Sequence, residues 1–377
     1  MVATFLSNFA RSQRQPIDGW SVSVVIACLL ILGPIVAVLL TAVGDSGGLW
    51  EHLYETVLGR YVANTLILMV GVGLLAIGFG VSSAWVINRY DFLGRRLMEW
   101  MLLLPAAIPA YIIAYTYTDF FEYAGPLQSA LRHMFSWQSR GDYWFPEIRS
   151  LGGAMLVMSS VLYPYIYMVT RIAFRLTPAS LYEIALVHNR SQFWKVGLPL
   201  ARPAIMAGLA LVLMEVVSDF GTVEFFAIET ITLGIFNVWL GMNNLVAAAQ
   251  ISIVGFCFIL VLLGLEIYAR SRQQYVSSSR NQAATAPLVP GVLGVLICWM
   301  VCLMPLLFGF LVPVGVLVSL VTTNDFISDF LSIQEIIVNT LIMAGVAALV
   351  IMVLSFFIVV TATFCCGSKT RKLALFA

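Results

Sequence analysis

Apolar residues come in long runs separated by short polar stretches. A helix needs roughly 20 consecutive apolar residues to cross a bilayer. By that rule eight spans are predicted: Trp20–Ala42, Tyr61–Ile87, Leu97–Thr118, Leu151–Thr170, Ala204–Phe226, Asn244–Ala269, Pro290–Leu320 and Val338–Phe364. The period-two alternation of membrane-barrel strands is absent. The expected fold is therefore all-α and polytopic. The first run is longer than the about 7–15 residues of a cleaved signal core, so it reads as a retained helix.

Several spans carry local signals. Ala76, Gly80 and Ala84 recur at four-residue spacing in the second, a stripe that lets another helix approach closely. Pro105 and Pro109 must bend or break the third, and Pro164 is expected to break the fourth. The fifth holds Glu215 and Asp219 at i and i+4, followed by Phe220, Gly221 and Glu224. Ionisable groups inside a span normally face a pathway or a partner. The alternative is an early helix end at Gly221, leaving the acids in headgroup water. Ile228–Asn244 is too short and mixed to span and reads as a re-entrant or interfacial piece. Asp119–Ser150 is an aromatic outer segment, either a lid at the interface or a docking surface. Ser271–Pro287 is a polar linker.

Composition supports the membrane reading: 61% of the 377 residues are hydrophobic and 10% charged, against near 25% charged in a soluble globule. Charge placement adds orientation. With the N-terminus inside, sixteen of the twenty Lys and Arg fall on inner segments, and only Arg60, Arg132, Arg140 and Arg149 lie outside. The six cysteines sit in spans or at the inner edge, so no disulfide framework is implied. Cys365-Cys366 reads as helix-end packing, and His52 and His133 lack ligand spacing, so no metal site is expected. Gly367-Ser368-Lys369-Thr370 lacks the glycines of a phosphate loop. No catalytic site, resident cofactor or nucleic-acid partner is implied.

The longest polar interruption on the basic side runs from Arg171 to Pro203. It holds Arg171, Arg175, Arg190, Lys195 and Arg202 against one acid, Glu183. Thr177-Pro178-Ala179-Ser180 predicts a helix start, with Leu181, Ile184, Ala185 and His188 as the apolar stripe. A second short helix is predicted over Gln192–Gly197, closed by Leu198-Pro199. Two short helices at a membrane surface make a knob that another protein can grip. The alternative is a loop lying on lipid headgroups, held by its charge.

Asn64-Thr65-Leu66-Ile67 opens the second span, and Asn339-Thr340-Leu341-Ile342 opens the eighth, about 275 positions later. Arg95-Arg96-Leu97 and Arg371-Lys372-Leu373 follow those spans. This is an internal repeat. A six-span first unit puts the second unit on the same side, related by an axis along the membrane normal. The second unit is expected to be incomplete, ending at Ala377, whether as a fragment or as a truncated product. The expected organisation is 1–60 first helix and outer segment, 61–270 core, 271–289 inner linker, and 290–377 the start of the second unit.

The loop Glu183-Ile184-Ala185 … Leu198-Pro199-Leu200 resembles the EAA loop of ATP-binding-cassette importer permeases. Leu162-Tyr163-Pro164-Tyr165, Leu198–Ala204 and Ser218–Val223 resemble the fused two-unit permeases of ferric iron importers. The resemblance implies one complete six-helix type I permease unit plus the first two helices of a second, in a bacterial inner membrane. It implies a periplasmic substrate-binding protein outside and cytoplasmic ATPase subunits that carry the ATP and grip the loop. A second permease unit is a further implied partner. Glu183, Ile184, Ala185, Asn189, Leu198 and Pro199 would then be coupling residues, with Glu183 the charged contact. Glu215, Asp219, Phe220 and Gly221 would belong to the translocation path. The chain departs from the pattern twice. Asn189 holds the glycine position, and the distance from Glu183 to Leu198 is three residues short, nearly one helical turn. Two other readings are an ion-gradient carrier using Glu215 and Asp219, and an inactive permease remnant.

Overall fold

The computed structural model describes residues 19–271, 287–323 and 330–364. They are helical throughout, joined by short turns, with no strand among them. Six helical runs are long and apolar enough to cross a membrane, and a seventh is a bent pair. The chain is a polytopic all-α membrane protein. It divides into two compact units, 45–321 and the remainder.

The larger unit opens with α2 (Leu49–Leu53), which passes through a π-type turn into α3 (Gly59–Arg89). Helix α3 packs along α7 (Leu151–Leu176) through the small-residue stripe read from the sequence. Ala76 and Ala84 are fully buried. A Cβ on Gly80 would stand 2.9 Å from Ile166, and one on Gly208 of α9 (Leu198–Ser218) would stand 2.9 Å from the backbone of the same residue. Three helices thus meet at Ile166 because two of them lack a side chain there.

The third span is broken. Helix α4 (Arg95–Met101) is followed by a 3-10 turn at Leu104–Ala107 and by α5 (Ala110–Phe121), and the two arms meet at 91°. The prolines explain the break, and α7 makes it tolerable. The Tyr163 hydroxyl donates to the Leu102 carbonyl at 2.9 Å, and the Tyr167 hydroxyl to that of Glu99 at 3.3 Å. Both tyrosines are fully buried.

Contrary to the sequence expectation, Pro164 does not break the fourth span. Helix α7 continues through it. A proline at 164 withholds a donor from the Ser160 carbonyl, and Gly309 lies directly against that oxygen. Gly309 belongs to a π-type turn, Leu307–Leu311, between α13 (Val292–Leu306) and α14 (Val312–Thr323). The Phe308 carbonyl in that turn accepts from Tyr117 of α5 at 2.7 Å. Cys298 and Cys302 of α13 are buried in the same core as Tyr163 and Tyr167. So α13 and α14, the first helices after the linker, pack within the 45–321 unit.

The predicted aromatic outer segment folds as α6 (Pro126–Phe135) and a short 3-10 turn, Arg140–Asp142. Phe135, Trp137 and Tyr143 stack in series with centroids 4.8 and 4.6 Å apart. The predicted re-entrant piece is α11 (Ile231–Phe236) with a π-type continuation to Gly241. Asn64 Nδ2 donates to the Glu229 carbonyl at 3.0 Å, and the Ile231 amide donates to Thr65 Oγ1 at 3.1 Å. The Asn-Thr pair of the repeat therefore pins this segment to α3. Helix α12 (Leu245–Ser271) packs beside α9 and α11.

In the smaller unit, α1 (Gly19–Ala42) packs against α15 (Phe330–Phe364). The first predicted span is thus helical. Cys365-Cys366, the Gly367–Thr370 run, most of the 271–287 linker and the terminal basic residues lie outside the described residues.

Candidate functional site

The basic polar stretch forms a knuckle at the end of α7. Helix α7 is 26 residues long, or about 39 Å at 1.5 Å per residue. The knuckle follows its C-terminus and the aromatic segment precedes its N-terminus, so the two lie at opposite ends of the bundle. Helix α8 (Ala179–Val187) starts after Pro178, as the sequence predicts. It ends in a Schellman turn: the Arg190 amide donates to the Ala185 carbonyl at 2.8 Å and the Asn189 amide to that of Leu186 at 2.9 Å. Asn189 supplies the left-handed conformation with φ 49°. Asparagine reaches that region more readily than other side-chain-bearing residues, so it serves where the EAA pattern has glycine.

Two sequence expectations are corrected here. The inward face of α8 is Tyr182 and Ala185, both buried, while Ile184 and His188 point outward. The buried stripe is rotated from the expected one because Tyr182 is drawn under an aromatic cluster from other elements. Trp85 of α3 stands edge-on to Phe174, Tyr182 and Phe193, with centroids 5.3, 6.0 and 5.1 Å away. Burial pushes the Tyr182 phenol above its usual pKa, and the Arg89 guanidinium lies over its ring, 5.6 Å from the centroid.

The second correction concerns Leu198-Pro199. They do not close the second short helix. Phe193–Gly197 is a π-type turn that runs straight into α9, so the fifth span begins at Phe193. The Leu198 amide reaches back to the Phe193 carbonyl, one residue further than an α-helical bond would. Pro199 occupies the first turn of α9, where a missing N–H is tolerated.

With Tyr182 and Ala185 turned inward, the outer face of the knuckle is apolar and exposed. It presents Glu183, Ile184, Leu186, Val187 at 83% exposure and Trp194 at 65%. Arg175, Arg190, Lys195 and Arg202 of the same stretch are also exposed. Arg171 is instead drawn into a close ion pair with Glu99 of α4. Trp85, Arg89 and Gln192, which seat the knuckle, were not singled out from sequence. The only available signal was a Trp and an Arg four apart at the end of an apolar run.

At the other end, α9 stops at Ser218 and the chain turns into α10 (Gly221–Phe225). The fifth span is shorter at this end than the predicted Ala204–Phe226, because Asp219 caps α10. Its carboxylate accepts from the Thr222 amide at 2.7 Å and the Thr222 hydroxyl at 2.8 Å. Glu215 is exposed and Asp219 half-buried. Phe220 stacks on Phe236 at 3.9 Å. Gly221 sits against Tyr111, where a Cβ would come within 3.0 Å. The Val217 carbonyl, freed by the break, accepts from Thr232 at 2.5 Å. Among the described residues, no three His, Cys, Asp or Glu gather into a group that could hold a metal ion.

The family model for the binding-protein-dependent transport system inner membrane component matches residues 76–274, more than half of the chain and the whole knuckle. The Fe(3+)-transport system permease protein FbpB 2 of Haemophilus influenzae is 26% identical over 235 residues, covering 61% of this chain and 42% of that protein. The chain therefore spans less than half of that relative's length. The sulfate transport system permease protein CysT of Escherichia coli is 27% identical over 230 residues, covering 58% of this chain and 79% of that one. The crystal structure of a bacterial ABC transporter involved in the import of the acidic polysaccharide alginate has a chain that matches with TM-score 0.50 at 19% identity, covering 67% of this chain and 93% of that one. The last likeness shows the fold.

Proposed function

The chain belongs to the family of binding-protein-dependent transport system inner membrane components, and from that premise we propose that it is a permease subunit of an ATP-binding-cassette importer. In this reading it conducts substrate handed over by a periplasmic binding protein. ATP is bound and hydrolysed on separate cytoplasmic subunits, and those subunits dock on the knuckle. The observation that carries the reading is the exposure of Ile184, Leu186, Val187 and Trp194 on a stretch that also exposes Arg175, Arg190, Lys195 and Arg202. Such a face, rigidly backed by Tyr182 and Trp85, suits the cleft of a protein better than a headgroup layer, which would leave its aliphatic residues at a polar surface.

Within it the coupling residues divide their roles. Glu183 and Ile184 contact the ATPase. Ala185 seats the helix, Asn189 makes the turn, and Leu198 and Pro199 pass motion into α9. The knuckle side is cytoplasmic, as is the N-terminus. Glu215, Asp219, Phe220 and Gly221 belong to the translocation path, and Asp219 acts there through the cap it makes on α10. Ferric iron is the proposed cargo, supported by the likeness to FbpB 2; the CysT likeness makes sulfate the competing cargo.

Co-purification with a cytoplasmic ATPase subunit co-expressed with this chain tests the docking. Glu183→Arg with Val187→Asp should reduce the retained ATPase at least tenfold at unchanged permease level; undiminished retention refutes the docking site. Uptake of labelled ferric ion against labelled sulfate decides the cargo. Asp219→Asn should slow that uptake without lowering the amount of protein in the membrane, and normal uptake removes Asp219 from the path.

A further inference from the structure

Several side chains that seat the knuckle meet at the last turn of α3. Arg89, the last residue of α3, is only 4% exposed. Its Nε donates to Gln192 Oε1 at 3.0 Å. Gln192 Nε2 in turn donates to the Tyr182 carbonyl at 2.9 Å, in the middle of α8. One turn before Arg89, Trp85 is ringed by Phe174, Tyr182 and Phe193. Gly197 comes so close that a Cβ would stand 2.6 Å from the Trp85 ring. The Arg89 carbonyl accepts from the Leu288 amide at 2.9 Å, and the Asp91 amide donates to the Leu288 carbonyl at 2.9 Å, just before α13 begins. The last turn of α3 therefore holds both halves of the knuckle and the lead into α13.

The other end of α3 is also engaged. Asn64 and Thr65 hold Glu229 and Ile231 at the entry to α11. Between Asn64 and Arg89 α3 is unbroken, a distance of about 38 Å at 1.5 Å per residue. A straight, packed helix carries displacement along its length because its interior is close-packed and cannot absorb it.

We propose that Trp85, Arg89 and Gln192 form a clamp that makes α3 a lever, linking the knuckle to the Thr230–Gly241 segment at the opposite end of the bundle. Arg89 and Gln192 are positioning residues: they touch neither the exposed knuckle face nor the segment they control. This rests on the permease reading only for what pulls the lever, since the linkage is a property of the chain alone.

Two measurements test it. The first is hydrogen–deuterium exchange on the purified full chain in detergent. Arg89→Met and Gln192→Leu should each raise exchange at residues 229–236 at least severalfold, and Arg89→Lys should restore most of the protection. Trp194→Ala, on the knuckle's outer face, should leave 229–236 unchanged. Exchange confined to the knuckle in the two clamp variants, or equal effects of Trp194→Ala, overturns the lever. The second uses proteoliposomes holding the chain with its ATPase, MgATP and the binding protein. Arg89→Met should lose at least tenfold of the binding-protein stimulation of ATP hydrolysis, counted per ATPase retained. Thr65→Val at the far end should lose it likewise. An unchanged stimulation ratio in both variants overturns the proposal. If the wild-type chain retains no ATPase, the permease reading fails, and the exchange result still decides the lever.

Discussion

Gly197 is the position at which one added methyl group tests how the knuckle is seated. Its backbone is α-helical, with φ −58° and ψ −60°, so alanine introduces no backbone strain. On helix propensity alone Gly197→Ala should stabilise by about 0.8–1 kcal/mol. The surroundings oppose it. The new Cβ would stand 2.6 Å from one carbon of the Trp85 ring, 3.3 Å from another, and 3.4 Å from Phe174. Trp85 cannot swing aside without breaking edge contacts with three rings. Overpacking of this kind costs about 1–3 kcal/mol. The net expectation is destabilisation by about 0–2 kcal/mol, the difference between overpacking and propensity. In a Trp85→Leu background the obstructing ring is gone, so the same substitution should stabilise by up to about 1 kcal/mol. The sign should therefore reverse, with a coupling of about 1–3 kcal/mol between the two sites. Reversible unfolding of all four proteins in mixed micelles measures it, with limited proteolysis at the knuckle as a local probe. Additive effects of the two substitutions would refute the seating of Gly197 on Trp85.

Three further outcomes are expected. Tyr163→Phe keeps the ring but removes the donor to Leu102, leaving a buried carbonyl at the break in the third span; stability should fall by about 1–3 kcal/mol, read by the same unfolding assay, and an unchanged value would mean that the carbonyl finds another donor. Asn189→Gly should be tolerated and Asn189→Val should cost about 1–2 kcal/mol, since a β-branched residue cannot adopt the left-handed turn cheaply; equal stability of the two would remove the Schellman turn. Asp142 accepts from the Ser139 and Gln138 amides at 2.8 Å each and from the Ser139 hydroxyl at 3.1 Å, which holds its pKa below the ordinary 3.8. A depressed folded pKa gives stability that is present above the unfolded value and lost as pH falls through the folded one. Protease protection of residues 138–147 should therefore hold at neutral pH and decline in acid, and Asp142→Asn should weaken it at neutral pH and converge on the wild type in acid.

The membrane class, the helix positions and the knuckle's existence were legible in the sequence, because each depends on local quantities. Twenty apolar residues in a row must be in lipid or a core, prolines one turn apart must interrupt a helix, and asparagine after a short amphipathic helix suits a left-handed cap. What the sequence could not provide was the rotation and reach of those helices. Tyr182 faces inward, not Ile184, because a tryptophan about a hundred positions earlier stands beside it. Helix α7 continues through Pro164, with Gly309 packed against the carbonyl it frees, and Pro199 lies in the first turn of a helix that follows directly from Phe193–Gly197. The fifth span ends at Ser218, and Asp219 beyond it accepts from Thr222 at the start of α10. Composition and spacing determined which segments enter the bilayer; only tertiary packing decided which face each one shows, since the partners of a buried ring, a freed carbonyl or a missing Cβ are distant in the chain.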